Sequence, residues 1–239
     1  MAGRGSHFYA AGYKIPKYEI VAHGRSLFEW SLLSLRSFLT NDCQLFFICL
    51  EGNKSTEFIL NKTCRLGLNN VHIIDVKNVT DGQATSAYLS RELWNPNWPL
   101  LIYNIDTYIK RGLVGTSEIR QGSDGWVPTF RARGEHWSFV KLGADGWAED
   151  LAEKNRISEN ASVGLYWFNC AGTYIELYER YFSNSLNLVL GEKYIAPLYR
   201  QLIIDGGKVS TSELKLSDVH VLGTPAELEM FISLSPSEI

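Results

Sequence analysis

The sequence predicts an α/β fold with a mostly parallel, mixed sheet flanked by helices. Three short apolar runs are typical of buried strands, and the stretches between them repeat apolar residues at helical spacing. The runs are residues 45–50, 71–76 and 100–105. Strands that alternate with helices indicate βα units, which place parallel strands side by side.

The first half of the chain contains three predicted helices, at residues 28–39, 55–68 and 83–93. Ser55 or Thr56 is suited to cap the second helix, and Gly67 lies near its end. The Asn95-Pro96-Asn97 turn stops the third helix.

The second half has a different pattern. Strands are predicted at residues 126–130, 137–142 and 163–168, and helices follow at residues 171–182 and 192–204. Pro225 opens a last helix in its first turn. No linker-like tract divides the 239 residues, so the chain is predicted to form a single domain, residues 1–239.

Composition excludes several classes of protein. A formal net charge of -3 gives no basic footprint for a nucleic acid. No apolar run approaches ~20 residues and no secretory signal is present, so we expect no membrane partner and a soluble, cytoplasmic protein. The four cysteines show no C-x-x-C spacing, which favours free thiols over disulfides or a zinc site.

A glycine-punctuated segment, Ala2-Gly3-Arg4-Gly5-Ser6, stands near the start and is followed by Pro16-Lys17. Glycines let backbone N–H groups approach a polyphosphate, and a lysine adds a point charge. We therefore predict that this loop and Lys17 bind a polyphosphate.

Such a loop normally follows a central strand, yet Met1 stands directly before it. The sequence predicts either a start displaced by several residues or a sheet that lacks its first strand. The displaced start is favoured.

The segment Asn104-Ile105-Asp106 closes the third apolar run. A carboxylate at the carboxyl end of a parallel strand lies where α/β sheets bind ligands, and its hard oxygens suit Mg²⁺. Asp106 is therefore the predicted Mg²⁺ ligand. The alternative is that it caps a helix after the strand.

Three further segments carry patterned polar and glycine residues: residues 80–85 around Gly82-Gln83, residues 152–168 with Glu153-Lys154 and Gly164, and residues 221–228 with Gly223-Thr224-Pro225. These motifs and the loop resemble those of the sugar-phosphate nucleotidyltransferases and occur in the same order. The family pattern is A-G-x-G-S-R-F, P-K, an acidic turn, E-K, A-x-x-G-x-Y-x-F and G-T-P-x-x-L. The resemblance runs from Gly3 to the G-T-P turn. Residues 137–139 and 152–154 are most similar to the capsule and surface-polysaccharide branch.

The resemblance implies a Rossmann-like, glycosyltransferase-A-like fold with a nucleotide-binding half, residues 1–110, and an acceptor-binding half, residues 111–239. Gly82 and Gln83 would contact the nucleobase. Glu153 would bond sugar hydroxyls, Lys154 would meet the acceptor phosphate, and Gly164 would leave room for a ring.

The implied reaction joins a nucleoside triphosphate and a sugar 1-phosphate into a nucleoside diphosphate sugar and pyrophosphate. The glycine-punctuated loop would hold the triphosphate, whose α- and β-phosphates Lys17 would neutralise. Two polyanions repel each other, and Lys17, Lys154 and Mg²⁺ on Asp106 would offset that repulsion. No general base is required, because the attacking phosphate is already ionised.

The chain departs from the family pattern at two positions. His7 stands where an arginine is usual, and neutral imidazole does not replace a bidentate guanidinium; Arg4 is near enough in sequence to compensate. Val221 stands where many members place a second metal-binding Asp, and Asp218 is the nearest substitute.

Three alternatives stay open. A cytidylyltransferase acting on phosphocholine or another non-sugar phosphomonoester shares the chemistry, and tryptophans of the second half would suit a quaternary ammonium. Those residues are Trp126, Trp137, Trp147 and Trp167. The second alternative is a nucleotide-binding relative that has lost catalysis, and the third is a glycosyltransferase.

Overall fold

The computed structural model describes residues 1–3, 5–51 and 55–239. Arg4, part of the predicted triphosphate loop, lies outside the described residues. The helices of the described residues, α1 to α7 in chain order, are Ser6–Ala10, Leu27–Ser34, Thr56–Arg65, Gln83–Tyr88, Ala171–Tyr181, Ala196–Ile204 and Pro225–Ile232. The strands, β1 to β15, are Val21–Ala22, Arg25–Ser26, Leu45–Leu50, Val71–Val76, Leu100–Tyr103, Thr107–Ile109, Gly125–Trp126, Thr129–Arg131, Ser138–Leu142, Ala148–Glu153, Asn160–Ser162, Leu165–Phe168, Val209–Ser210, Glu213–Leu214 and Val219–Val221.

These elements form two compact units. Unit 1 contains Met1–Thr80, Asn104–Thr116 and Ser217–Ile239, and unit 2 contains Asp81–Tyr103 and Ser117–Leu216. Each unit is assembled from separate stretches of the chain, whereas the predicted halves are sequential.

Unit 1 contains the parallel pair that the apolar runs predict. β3 and β4 pair in parallel from Leu45↔Val71 to Leu50↔Val76. Helix α2 begins at a capping box in which Ser26 and Glu29 bond each other's backbone N–H groups. Its buried Phe28 belongs to one apolar cluster with residues of β3 and α3.

Unit 2 contains a five-stranded sheet of order β10-β9-β11-β8-β14 and a four-stranded sheet of order β13-β7-β12-β5. Pairing is mixed: β13 lies parallel to β7 and β14 parallel to β8, and the other pairs in these sheets are antiparallel. Helix α6 contributes Leu198 and Tyr199 to the core that also contains Leu151 and Phe168. Mixed sheets flanked by helices are therefore present as predicted, although most of the pairs in these two sheets are antiparallel rather than parallel.

The surroundings of Asp106 differ from the prediction. β5 ends at Tyr103 and pairs antiparallel with β12, so Asp106 does not close a parallel strand. The chain passes from unit 2 to unit 1 at Asn104, which ends the run early. Asp106 instead immediately precedes β6, which pairs antiparallel with β15.

The helix predicted at residues 192–204 begins only at Ala196. An isolated bridge joins Val189 to Glu192, and the two residues between them have positive φ angles, 50° at Leu190 and 81° at Gly191. This tight turn keeps the following residues out of the helix. No helix among the described residues is long and apolar enough to cross a membrane.

Candidate functional site

Unit 1 brings Lys17 and Asp106 together, although 89 residues separate them. Lys17 begins a short 3-10 turn after Pro16, and its Nζ lies 2.6 Å from Asp106 Oδ2. The two side chains are only 24% and 26% exposed. The predicted phosphate-binding cation and the predicted metal-binding carboxylate are thus direct neighbours, each holding the other in place.

The late G-T-P turn also lies beside Asp106. Leu222 N donates to Asp106 O at 2.7 Å, and Val221 pairs with Thr107 in the β15–β6 ladder. A Cβ added to Gly223 would lie 3.5 Å from Asp106 Oδ2. The glycine therefore leaves the carboxylate accessible from this side.

Asp218, the nearest substitute for a second metal ligand, pairs with Lys110, and its role as a ligand stays a prediction. Its Oδ1 lies 3.7 Å from Lys110 Nζ, and its backbone O accepts from Lys110 N. Lys110 is four positions beyond Asp106, and a strand rises ~3.3 Å per residue, so Asp218 lies opposite a backbone position roughly 13 Å along the chain from Asp106. The antiparallel register causes this separation.

The described residues contain no group of three or more His, Cys, Asp or Glu side chains that could hold a metal ion. Mg²⁺ does not need one, because it keeps several waters and takes one or two carboxylates together with substrate phosphates. Asp106, a partly exposed carboxylate beside an open glycine, fits that requirement.

The described part of the predicted triphosphate loop forms the entry to helix α1. Gly5 adopts a left-handed φ of 62° and its carbonyl accepts from Phe8 N and Tyr9 N. Ala2 is buried, whereas Gly3 and Ser6 are exposed. His7 is exposed as well, so an arginine would fit at that position.

Unit 2 holds the predicted acceptor residues on paired strands. Glu153 ends β10 opposite Ser138 of β9, and the Ser138 hydroxyl donates to the Glu153 carboxylate. Because Ser138 has one proton to give, the Tyr166 hydroxyl donates to Ser138 Oγ at 2.9 Å. Desolvation raises the pKa of Glu153, and the Glu192 carboxylate raises it further, against the opposing hydrogen bond from Ser138 and charge of Lys154.

Lys154 leaves the strand with a φ of 51°, an uncommon conformation for a residue with a side chain. Its Nζ donates to Tyr194 Oη at 2.5 Å. Desolvation, followed by a hydrogen bond to Glu192, raises the pKa of Tyr194, so the phenol stays protonated and donates to that carboxylate. Tyr194 thus lies between the Lys154 ammonium, from which it accepts a hydrogen bond, and the Glu192 carboxylate, which raises its pKa.

The predicted nucleobase segment, residues 80–85, packs against Lys193, which lies between Glu192 and Tyr194 in the sequence. Lys193 N donates to Asp81 O at 2.7 Å, its carbonyl accepts from Ala84 N at 3.1 Å, and its Nζ lies 3.0 Å from Asp81 Oδ2. Gly82, with a φ of 137°, sits so close that a Cβ there would lie 2.2 Å from Lys193 O. Gln83 opens helix α4 directly after it.

Gly164 precedes β12 with a φ of 77°, and its N–H donates to Ser162 Oγ at 3.0 Å. A glycine is therefore required by the backbone turn itself. Its predicted role beside a ring stays a prediction.

Sequence reasoning missed Glu192, Lys193 and Tyr194 as site residues. Their apolar neighbours fitted a helix, which concealed an extended segment. The Leu190-Gly191 turn was the available signal, because a glycine before a polar triplet predicts a chain reversal.

No protein-family model matches the sequence, and no curated protein matches it. The chain is 33% identical to the nucleoside-diphosphate-sugar pyrophosphorylase from Vibrio cholerae RC9, over 98% of both chains and with a TM-score of 0.89. The inositol-1-phosphate CTP transferase from T. maritima is 15% identical over 96% of this chain and 91% of its own, with a TM-score of 0.74. The CTP:phosphocholine cytidylyltransferase from Streptococcus pneumoniae is 14% identical over 96% and 94%, with a TM-score of 0.71. The last two share the fold, and the predicted glycosyltransferase-A-like fold is confirmed.

Proposed function

Because this chain belongs to the nucleotidyltransferases, in the family of the nucleoside-diphosphate-sugar pyrophosphorylases, we propose that it joins a nucleoside triphosphate to a sugar 1-phosphate. The products would be a nucleoside diphosphate sugar and pyrophosphate. The observation that carries this proposal is the 33% identity over 98% of the chain, together with Lys17, Asp106 and the Glu153-Lys154 motif of this sequence.

In the proposed reaction, an oxygen of the acceptor phosphate forms a bond to the α-phosphorus. The bond from that phosphorus to the oxygen that joins the α- and β-phosphates breaks, and pyrophosphate leaves with the electron pair on that oxygen. Repulsion between the two polyanions is the main obstacle, so catalysis depends on positioned charge.

Lys17 and the glycine loop would serve the triphosphate. The Lys17–Asp106 ion pair holds the ammonium in one place before substrate arrives, which lowers the entropy lost when it contacts phosphate. Asp106 would hold Mg²⁺, which when bound supplies further positive charge to the phosphates. The Gly223 backbone leaves room around that carboxylate.

Lys154 would serve the acceptor phosphate. The phenol of Tyr194 holds its ammonium, and Glu192 holds the phenol. An acceptor phosphate would then compete only with a neutral oxygen for Lys154, and the ammonium keeps donors free for it. Glu153, whose carboxylate accepts a hydrogen bond from Ser138, would also accept hydrogen bonds from sugar hydroxyls.

Three of the four tryptophans give no support to a quaternary-ammonium acceptor. Trp126 is fully buried, and the Arg120 guanidinium already lies 4.0 Å from the Trp147 ring. Trp137 packs edge-on against Phe130. The Glu153 carboxylate and the hydroxyl groups of Ser138 and Tyr166 are hydrogen-bonding groups of the kind that a sugar needs. A quaternary ammonium would instead need the faces of several aromatic rings.

We propose that the reaction serves surface-polysaccharide synthesis, because segments 137–139 and 152–154 are similar to that branch of the family. These segments pair as adjacent strands, with Phe139 opposite Ala152 and Ser138 opposite Glu153. The branch-like sequence features thus surround the proposed acceptor residue.

A pyrophosphate-release screen tests the proposal. The full chain with Mg²⁺ is offered each of four nucleoside triphosphates with a panel of sugar 1-phosphates, inositol 1-phosphate and phosphocholine. We expect release only when one triphosphate and one sugar 1-phosphate are both present. Release of pyrophosphate when phosphocholine, but none of the sugar 1-phosphates, is the acceptor would contradict the sugar assignment. Triphosphate binding by calorimetry without release on any acceptor would indicate a relative that has lost catalysis.

A further inference from the structure

Unit 1 contains a cavity of about 230 Å³ whose lining combines four arginines with five leucines. The arginines are Arg25, Arg36, Arg65 and Arg111. Leu32 and Leu33 of the lining are buried, and all four arginines are exposed. The cavity shares no residue with the Lys17–Asp106 site.

The four guanidinium groups have no acidic partner within the described residues. None of them has a nitrogen within 4.0 Å of a carboxylate oxygen of the described residues, whereas Arg91, Arg131, Arg180 and Arg200 all do. Arg36 donates only to Leu66 O, at 3.4 Å, and the Arg25 guanidinium lies 5.8 Å from the Trp30 ring. A chain of net charge -3 thus gathers four uncompensated cations around one opening.

Helix geometry explains part of this arrangement. Arg65 ends α3 and Arg36 follows α2, and cations are favourable at helix carboxyl ends. Arg25 lies in β2 directly before the N-cap of α2, where the helix dipole disfavours a cation, and Arg111 follows β6. Clustered like charges repel, so the arrangement favours a bound anion.

The floor of the cavity indicates what kind of anion fits. Leucine side chains contribute no hydrogen-bonding group, so a base edge or a sugar would find no directional partner among them. A hydrocarbon group would bury its surface there while guanidinium groups bind a phosphate in the bidentate manner.

We propose that this cavity is a second ligand site, which binds a diphosphate ester with a hydrocarbon tail. The diphosphate pairs with the arginines at the rim, and the tail packs on the leucines. The site is independent of the transfer reaction and of the substrates proposed above.

Calorimetric titration of the full chain with geranyl diphosphate tests the proposal. The titration is run in the presence of saturating nucleoside triphosphate and Mg²⁺, and repeated with Lys17→Ala, so that binding at the proposed triphosphate site is recognised. Inorganic pyrophosphate, geraniol and uridine diphosphate serve as comparison ligands. We expect geranyl diphosphate to bind at least ~10-fold more tightly than any of the three, a factor equivalent to about 1.4 kcal/mol.

Variants locate the site. Arg65→Ala with Arg111→Ala is expected to raise the Kd for geranyl diphosphate at least ~10-fold. The matched control, Arg131→Ala with Arg200→Ala, removes the same charge from unit 2 and is expected to change the Kd less than about twofold. Melting temperatures of both variants establish that they are folded.

Four results would overturn the proposal: no binding of geranyl diphosphate at millimolar concentration, equal or tighter binding of pyrophosphate or uridine diphosphate, loss of binding with saturating triphosphate or with Lys17→Ala, and equal Kd changes in the two double variants. Dimerisation of the chain that only Arg65→Ala with Arg111→Ala abolishes would assign the face to an interface between copies instead.

Discussion

Replacing Gly82 by alanine tests the contact between the predicted nucleobase segment and the segment that carries the acceptor groups. The new Cβ would lie 2.2, 2.6 and 2.8 Å from the O, N and C atoms of Lys193. Ordinary contact begins at 3.4 Å, so the two backbones must separate by 3.4 − 2.2 = 1.2 Å. That movement strains the hydrogen bonds that Lys193 makes with Asp81 and Ala84.

The expected cost adds two contributions. A φ of 137° belongs to a region that only glycine adopts readily, at a cost of about 1–3 kcal/mol for alanine. Two weakened backbone hydrogen bonds add about 1 kcal/mol each. The total of roughly 3–5 kcal/mol lowers the melting temperature by about 10 °C in a chain of this size.

Gly206→Ala is the matched control. Gly206 also has a positive φ, 90°, but nothing lies within 4 Å of an added Cβ. The conformational strain alone is expected there, about 1–2 kcal/mol, or less than about 5 °C. Differential scanning calorimetry compares both variants with the parent chain. Equal shifts would show that the close approach at Lys193 does not stabilise the fold, and would refute the reasoning.

Four substitutions test the remaining roles. Lys17→Met is expected to lower kcat/KM at least ~10²-fold while the loss of its half-buried ion pair costs stability about 1 kcal/mol or less; Lys14→Met is the exposed control, and equal activity losses would contradict the role. Asp106→Asn is expected to raise the Mg²⁺ concentration needed for half-maximal rate, and superimposable metal titrations would place the ligand elsewhere. Tyr194→Phe removes one charge-assisted hydrogen bond from Lys154, so we expect KM for the acceptor to rise about 10-fold with triphosphate affinity unchanged, and a loss in kcat alone would argue against positioning. The folded-state pKa of Glu153 is raised, so its ionisation opposes folding as pH rises above its ordinary value near 4.5. Glu153→Gln should therefore raise the melting temperature at pH 7 but not at pH 4, and should flatten the acidic limb of acceptor use; a lower melting temperature at pH 7 would contradict the desolvation argument.

Local signals made much of the fold predictable. The apolar runs at β3 and β4 carried enough length and β-branched or aromatic content to identify buried strands. The sequence Thr224-Pro225-Ala226-Glu227 specified the start of α7, and the structure contains the corresponding capping box. Capping chemistry acts over a few residues, so sequence alone is sufficient there.

Long-range pairing was not predictable in the same way. The antiparallel partner of β5 is β12, more than sixty positions further along the chain, and hydrophobic pattern does not specify strand direction. The same limitation misplaced Asp106 at the end of a parallel strand. Its role as a neighbour of Lys17 emerged only from the fold.

The acceptor residues illustrate both outcomes. Glu153 and Lys154 were recognisable as a motif, but β10, which ends at Glu153, was not among the predicted strands. Tyr194 and Glu192 were not recognised, because the positive φ at Leu190 is set by packing and bridging rather than by its own preference. The predicted helix at residues 192–204 therefore began too early in the chain.

The central claim is that an acceptor phosphate oxygen displaces pyrophosphate from a nucleoside triphosphate. Sugar 1-phosphate labelled with ¹⁸O in its phosphate, incubated with the triphosphate that the screen identifies, tests it directly by ³¹P NMR and mass spectrometry. The account predicts ¹⁸O in the bridge of the nucleoside diphosphate sugar and none in the pyrophosphate. Labelled orthophosphate, or a nucleoside monophosphate formed without any labelled product, would contradict it.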